Sequence, residues 1–453
     1  MTALALAPVS PLGSHALQIF LLQVGLLLTF ATALGRLAVR FGWPAVAGEL
    51  CAGVLLGPSV LRHLAPGASD WLFPRQPDQF HLLDAVGQLS VILLVGMTGM
   101  QMDLGMVRRC GRVAAYVSVG GLVVPLVFGV SAGLFLPDSF VVEGTDRAVF
   151  AAFLGVALCV SAIPVIAKTL MDMDLFHRDV GQLTLAAAIV DDIVGWLLLS
   201  VVSAAATAGF SGERIALSAL SLIAVVVVAR LVVRPLARKA LRGGDGAAEH
   251  GTTVAAIVAL VLLAAAGAQA LELEPVFGAF MCGMALVSSG ALSPRHLAPL
   301  RTLVLGVLAP LFFAAAGLRI DLSALRSPQV LVVALLVLSL AVAGKFAGAY
   351  LGARLGRLGR REAVALGAGL NARGVVEIVI ATVGLRINVL TPEMYTIIVL
   401  TALVTSLIAP PVLRRAMRRI EPTQEEADRA RALGVRPAAG DQPAADPSAT
   451  VEA

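Results

Sequence analysis

The sequence predicts an all-α polytopic membrane protein of about 13 transmembrane helices, built as an inverted-topology repeat with two broken helices. Three observations lead there. The 453-residue chain is 58% hydrophobic and 14% charged, with a mean hydropathy of +0.90, far more apolar than a soluble domain. Apolar runs long enough to cross a bilayer recur between charged breaks along most of it. A six-residue motif returns 218 residues later, an odd number of spans away.

In order, the runs are residues 17–35, 45–61, 82–100, 113–136, 149–170, 183–208, 215–233, 254–271, 276–287, 303–320, 330–351, 363–385 and 394–413. The ninth is short and interrupted by glycine. The 44 glycines suit helices that pack closely inside a bilayer. Loops on one side hold about 21 Lys and Arg, including Arg108, Arg109, Arg112, Arg360 and Arg361, against about 7 on the other. That positive-inside bias places the N-terminus outside the cell membrane and the C-terminus in the cytoplasm, which by itself requires an odd number of spans. The net charge of +5 thus reports on topology and implies no nucleic-acid partner. Cys51, Cys110, Cys159 and Cys282 lie in or beside apolar runs without CxxC spacing, as buried small hydrophobes would. No basic stretch precedes the first run, so a cleaved signal peptide is not expected.

The division that follows is an extracytoplasmic segment over 1–16, a transmembrane domain over 17–420, and a disordered cytoplasmic tail over 421–453, rich in Ala, Pro and acids. Within the membrane, repeat one covers about 17–208, a linker helix 215–233, and repeat two about 254–413. No Gly-rich fingerprint follows the last span, so no nucleotide-binding regulatory domain is expected in this chain.

The repeat rests on two matches. Gly99-Met100-Gln101-Met102-Asp103-Leu104 closes the third span and Gly317-Leu318-Arg319-Ile320-Asp321-Leu322 the tenth. Glu49 leads into Gly53 and Gly57 as Glu274 leads into Gly278 and Gly283. Partners lie seven spans apart, so the halves sit upside down relative to each other. Span five then pairs with span twelve. Both carry breakers or polar residues at mid-depth, Ser161 and Pro164 in one, Asn371, Arg373, Gly374 and Glu377 in the other. Corresponding broken helices mark a transporter's substrate site. Pro164 either frees a carbonyl for a dehydrated cation or only kinks its helix. Arg373 and Glu377, four residues apart on one face, form a self-compensating pair or act directly.

Span six, Leu183 to Ala208, carries Asp191 and Asp192 side by side at its centre. An acid there costs about 2.5–3.5 kcal/mol on insertion scales. Either interface is about 18 Å away at 1.5 Å per residue, beyond a carboxylate's reach. Intramembrane acids mark ion paths and proton relays, so Asp191 and Asp192 are the candidate proton and metal-ion ligands. Lys345, in span eleven, either snorkels to the interface or pairs with this site, which offsets the cost of burying an ammonium.

The stretches GELCAGVLLGPSVL (Gly48–Leu61), VDDIVGW (Val190–Trp196), PLFFAAAGLRIDL (Pro310–Leu322) and GLNARGVVEIVIATVGL (Gly369–Leu385) together resemble the monovalent cation:proton antiporter 2 family of bacterial sodium/proton and potassium/proton exchangers and plant cation/proton exchangers. The resemblance covers spans two to thirteen. It implies a sodium/proton antiporter-like fold in which a core domain, holding two crossed broken helices and the Asp pair, moves against a scaffold built around spans two and nine, commonly as a homodimer. It also implies roles. Asp192 would carry cation and proton, Asp191 would pair with Lys345, Ser161 and Asn371 would sit at the helix crossing, and Arg373 and Glu377 would stabilise the core.

A carboxyl withdrawn from water can hold a proton or a cation but hardly both. Exposing it alternately to each side gives exchange with no cofactor beyond the transported Na+ or K+ and H+. If Lys345 also releases a proton, about two protons move per cation and the membrane potential contributes ~2.3 kcal/mol per net charge per 100 mV; if only Asp192 cycles, exchange is electroneutral. Three other readings compete with this one. An intramembrane aspartyl protease needs its acids on facing helices, whereas adjacent acids on one helix point about 100° apart, and no enzyme is expected. A same-fold carrier exporting an organic ion or antibiotic needs a larger midplane cavity. A channel or sensor on the same scaffold would lack coupled flux.

Overall fold

The computed structural model describes residues 13–74, 77–101, 104–173, 175, 177–208, 212–241, 247–271, 273–290, 294–418 and 420–426. These residues are almost wholly helical. In chain order the main helices are α1 (Ser14–Arg40), α2 (Ala45–Leu56), α3 (Pro77–Met100), α4 (Leu104–Phe135), α5 (Arg147–Cys159), α6 (Ile163–Asp172), α7 (Asp179–Ala208), α8 (Gly212–Val228), α9 (Ala247–Ala270), α10 (Pro275–Ser288), α11 (Ala309–Gly317), α12 (Pro328–Leu355), α13 (Arg360–Gly369), α14 (Val375–Arg386) and α15 (Pro392–Met417).

Helix starts follow local chemistry. Pro275, Pro328 and Pro392 occupy first-turn positions where a missing N–H costs nothing. Asp146 caps α5 by accepting from the Ala148 amide, and Thr391 caps α15 through the Met394 amide. Every apolar run falls largely on helix, the fifth and twelfth being interrupted within the run. Among the described residues nine helices are long and apolar enough to cross a membrane, and Arg147–Cys159 and Pro275–Ser288 are shorter apolar ones. The chain is therefore a multi-pass, all-α membrane protein, and the length criterion accounts for nine crossings of the thirteen expected.

The chain divides into two compact units, Met1–Gln101 with Ile223–Arg326 and Met102–Leu222 with Ser327–Ala453. In the first, Gly53 of α2 packs on the backbone at Ala314 and Gly317 of α11, and Gly283 of α10 packs on Gly96 and Gly99 of α3. A Cβ at Gly53 or Gly283 would run into those carbonyls, so small residues set the approach of both helix pairs. Gly99 and Gly317 are the residues matched by the 218-residue offset. The facing backbone positions 96, 99 and 314, 317 are counterparts at that offset, so one contact is built twice; the glycines seated on them, Gly53 and Gly283, correct the register expected from Glu49 and Glu274, which matched Gly53 with Gly278. Met102 and Asp103 of the repeated motif lie outside the described residues. Glu49 and Glu274 are both buried in this unit.

In the second unit, α4 meets α12 through Gly120 and Gly348 and meets α5 through Gly129 and Gly155. Two of its spans are broken. Non-helical residues 160–162 separate α5 from α6, and residues 370–374 separate α13 from α14. Gly374 holds φ at 156°, a conformation that side chains resist.

Large apolar side chains stay exposed in rows, such as Val119, Val123 and Val127 on α4 and Leu331, Val332 and Leu335 on α12. Rows of this kind belong against lipid. None of the four cysteines forms a disulfide. Cys159 and Cys282 are buried as expected, Cys110 is partly covered, and Cys51 departs from the expectation on an exposed face of α2. Of the segment expected to be a disordered tail, residues 421–426 are described and are anchored to the second unit, with Glu426 buried; residues 427–453 lie outside the description.

Candidate functional site

The second unit gathers the buried charges predicted from sequence. Asp191 and Asp192 sit near the middle of α7, and both are fully buried. Gly195, one turn on, lies against the side chain of Val160, so the absence of a Cβ lets the break between α5 and α6 come up to the helix beside the acids. Gly369, at the end of α13, likewise lies against Thr184 of α7. Both broken spans are thereby brought to the same helix.

The breaks touch each other. The Ala162 amide donates to the Ala372 carbonyl at 3.2 Å. The Ser161 hydroxyl donates to Asp191 Oδ2 at 2.9 Å, with the Leu370 carbonyl a second acceptor at 3.3 Å. Asn371 donates through Nδ2 to the Gly367 carbonyl at 3.0 Å and the Val342 carbonyl at 3.4 Å, while its Oδ1 accepts nothing among the described residues. Pro164 falls in the first turn of α6, but its side chain lies outside the described residues.

The two acids have different surroundings. Asp191 Oδ2 receives Lys345 Nζ at 2.5 Å, and its Oδ1 receives the Ser118 hydroxyl at 2.9 Å. Lys345, fully buried, also donates to the Cys159 carbonyl at 2.6 Å. A pair so far from water persists only when its remaining donors and acceptors are satisfied, which Ser118, Ser161 and Cys159 accomplish. Snorkelling is thereby replaced by pairing. Asp192 has no such company. Neither of its carboxylate oxygens has a hydrogen-bond partner among the described residues. The side-by-side placement explains the division, because successive helical residues point about 100° apart.

Arg373 and Glu377 form the expected i,i+4 pair, Nη1 to Oε1 at 3.4 Å, with both side chains buried. The guanidinium also donates to the Ala157 carbonyl at 3.4 Å, the Leu158 carbonyl at 2.6 Å and the Ala341 carbonyl at 2.9 Å. The backbone carbonyl of Arg373 accepts from the Ser406 hydroxyl of α15. Lys345 and Arg373 together cover the carbonyls of residues 157–159, the C-terminal end of α5. That end carries the negative pole of its helix and has no following turn to satisfy it.

Sequence reasoning missed three contributors. Ser118 is a small hydroxyl in an otherwise apolar run, and only its contact with Asp191 distinguishes it. The Cys159 carbonyl is invisible in a side-chain reading. The third, Glu426, was assigned to the tail, although the spacing Thr423-Gln424-Glu425-Glu426 is a capping-box signal.

Comparisons with known proteins bear on the family and the fold. A family model described as sodium/hydrogen exchanger, transmembrane, matches residues 25–419. The chain is 31% identical over 405 residues to the Na(+)/H(+) antiporter NhaS4 of Synechocystis, covering 88% of this chain and 97% of that one. It is 29% identical to Cation/H(+) antiporter 19 of Arabidopsis thaliana over 89% of its own length and 50% of the relative's, so it spans about half the length of the plant relatives it matches. The structure of the sodium proton antiporter MjNhaP1 from Methanocaldococcus jannaschii superposes with a TM-score of 0.67 at 16% identity, over 89% of this chain and 99% of that one.

Proposed function

Because the chain belongs to the sodium/hydrogen exchanger family, with the matched region running from residue 25 to 419, we propose that it is a secondary active transporter exchanging a monovalent cation, Na+ or K+, for protons by alternating access at Asp192. It is a transporter and not an enzyme, and it works in the cell membrane with its C-terminus in the cytoplasm, as a homodimer. One observation carries the reading. Asp192 is fully buried and its carboxylate has no hydrogen-bond donor among the described residues, while the neighbouring Asp191 has three. A carboxylate without donors in a water-poor interior needs a proton or a cation to neutralise it. The two compete for one group, and exposing that group to each side in turn couples their opposite movements.

In this scheme Asp191 and Lys345 hold the site's frame. The ammonium compensates Asp191, so the net charge awaiting an ion is that of Asp192 alone. Ser161 ties Asp191 to the crossing of the broken spans, where the Asn371 amide oxygen has no partner among the described residues. Arg373 and Glu377 hold the end of α5 in place and carry no ion. The organic-ion carrier would need room around the acids, and their complete burial favours a small ion.

The test is proton flux in everted vesicles loaded with a pH-sensitive dye. Added NaCl or KCl dequenches the dye in the wild type, and Asp192→Asn abolishes the response to every cation. Exchange that survives in Asp192→Asn refutes the assignment.

A further inference from the structure

The helix that carries the acids is held at its far end by the segment after the last span. Glu426 Oε1 accepts the Asp179 amide, the first residue of α7, at 2.6 Å. Glu426 Oε2 accepts Arg178 Nε at 2.9 Å and the Thr423 amide at 2.9 Å. The Thr423 hydroxyl accepts the Glu426 amide at 3.3 Å, which completes a capping box for the short helical turn beginning at residue 424. Arg178 spends its remaining reach on the Ile420 carbonyl, at 3.0 Å. This is not a solvated surface pair, since the two side chains are 9% and 4% exposed. One carboxylate therefore caps two helices at once. A negative charge at a helix N-terminus satisfies amides that have no partner within the helix and meets the positive pole of its dipole.

We propose that Glu426 is a positioning residue for transport, a latch that fixes α7, and with it Asp192, to the chain that follows the last span. The inference rests on the reading of Asp192 as the ion carrier. Its logic is mechanical. The acids lie about 12 residues, or ~18 Å, along a continuous helix from the latch. A helix end released from its cap gains freedom to tilt or fray over its first turn, and the broken spans packed on α7 through Gly195 and Gly369 gain it too. Affinity for the cation at Asp192 then depends on a contact far from it.

The test uses the full chain in proteoliposomes, comparing wild type, Glu426→Ala, Glu426→Gln and Asp192→Asn, with Glu421→Ala as a control of equal charge change. Two quantities are read, the Na+ or K+ concentration giving half-maximal proton flux and the hydrogen exchange of α7 amides over residues 179–183. Glu426→Ala is expected to move the half-maximal concentration by about threefold or more and to speed exchange of those amides about tenfold, the size of a lost cap with its charge. Glu426→Gln, which keeps the shape and loses the charge, falls between; Glu421→Ala changes neither. A merely structural role would lower the yield of folded protein and leave the half-maximal concentration of the folded fraction unchanged, and that result overturns the proposal, as does unchanged amide exchange in Glu426→Gln. The underlying reading is tested separately. Exchange persisting in Asp192→Asn sinks the ion assignment whatever the Glu426 variants do, while an inactive Asp192→Asn beside silent Glu426 variants sinks the latch alone.

Discussion

Replacing Lys345 by Ala removes the ammonium paired with a carboxylate that is 0% exposed. Asp191 keeps the Ser118 and Ser161 hydroxyls but loses the ammonium at 2.5 Å, and the Cys159 carbonyl loses its donor with it. Breaking a buried pair from one side costs about 3–5 kcal/mol, because a charge is left without compensation. Removing both charges is far milder, since neither then has to be desolvated. The expected pattern is therefore two costly single variants, Lys345→Ala and Asp191→Ala, and a double variant much less damaged than their sum, with a coupling of more than about 1.5 kcal/mol. Thermal unfolding in detergent followed by tryptophan fluorescence reads this directly, as Trp196 lies buried one turn beyond Asp192. At about 2–4 °C per kcal/mol for a unit of this size, each single variant melts roughly 10 °C below wild type. Single variants melting within about 1 °C of wild type, or stabilities that simply add, would show that the pair is not closed in the folded protein and that Asp191 is as open as its neighbour.

The remaining predictions concern groups farther out. Asp192→Asn abolishes exchange with every cation yet leaves the melting temperature close to that of wild type, because the carboxylate has no hydrogen-bond partner among the described residues to lose; a marked loss of stability would contradict the absence of donors around it. The Glu426 variants shift cation affinity and α7 amide exchange together. Arg373→Met strands Glu377 and three backbone carbonyls, so it destabilises by about 3–5 kcal/mol, and adding Glu377→Met recovers part of that in the same melting assay. Gly53→Leu and Gly283→Leu each drive a side chain into facing backbone and cost at least about 1–3 kcal/mol; as counterpart contacts they are expected to lose similar amounts, and a neutral Gly283→Leu would argue against the repeated packing.

Much of this was legible because a bilayer makes a buried charge expensive enough to stand out. Asp191, Asp192, Lys345, Arg373 and Glu377 were each recognisable as exceptions within apolar runs, and the i,i+4 spacing alone paired the last two. The glycines of the repeated motif were legible for a related reason, since close helix contacts restrict residue type. What the chain order does not carry is the third dimension of the same rule. Ser118 becomes significant only when α4 brings it to Asp191, 73 positions away, and Glu426 only when it meets Arg178, 248 positions away. Both are ordinary residues at the surface of their own segment, and neither is a costly exception until folding removes water from it.

The cations at the end of α5 follow from this as well. A helix broken inside a membrane exposes carbonyls that no water can satisfy, and at the end of α5 they are met by donors from other spans, Lys345 to Cys159 and Arg373 to Ala157 and Leu158. The positive charge required to end α5 at mid-depth is the charge that makes a paired Asp191 affordable. With that pair closed, a second acid adjacent in sequence must point elsewhere, about 100° around α7, and cannot share the ammonium. Adjacency thus produces one carboxylate that is part of the frame and one that, in the proposed mechanism, is left for an exchangeable ion. Acids spaced four apart on one face would have competed for Lys345, and the unit would have lost the unpartnered group to which the proposed coupling is assigned.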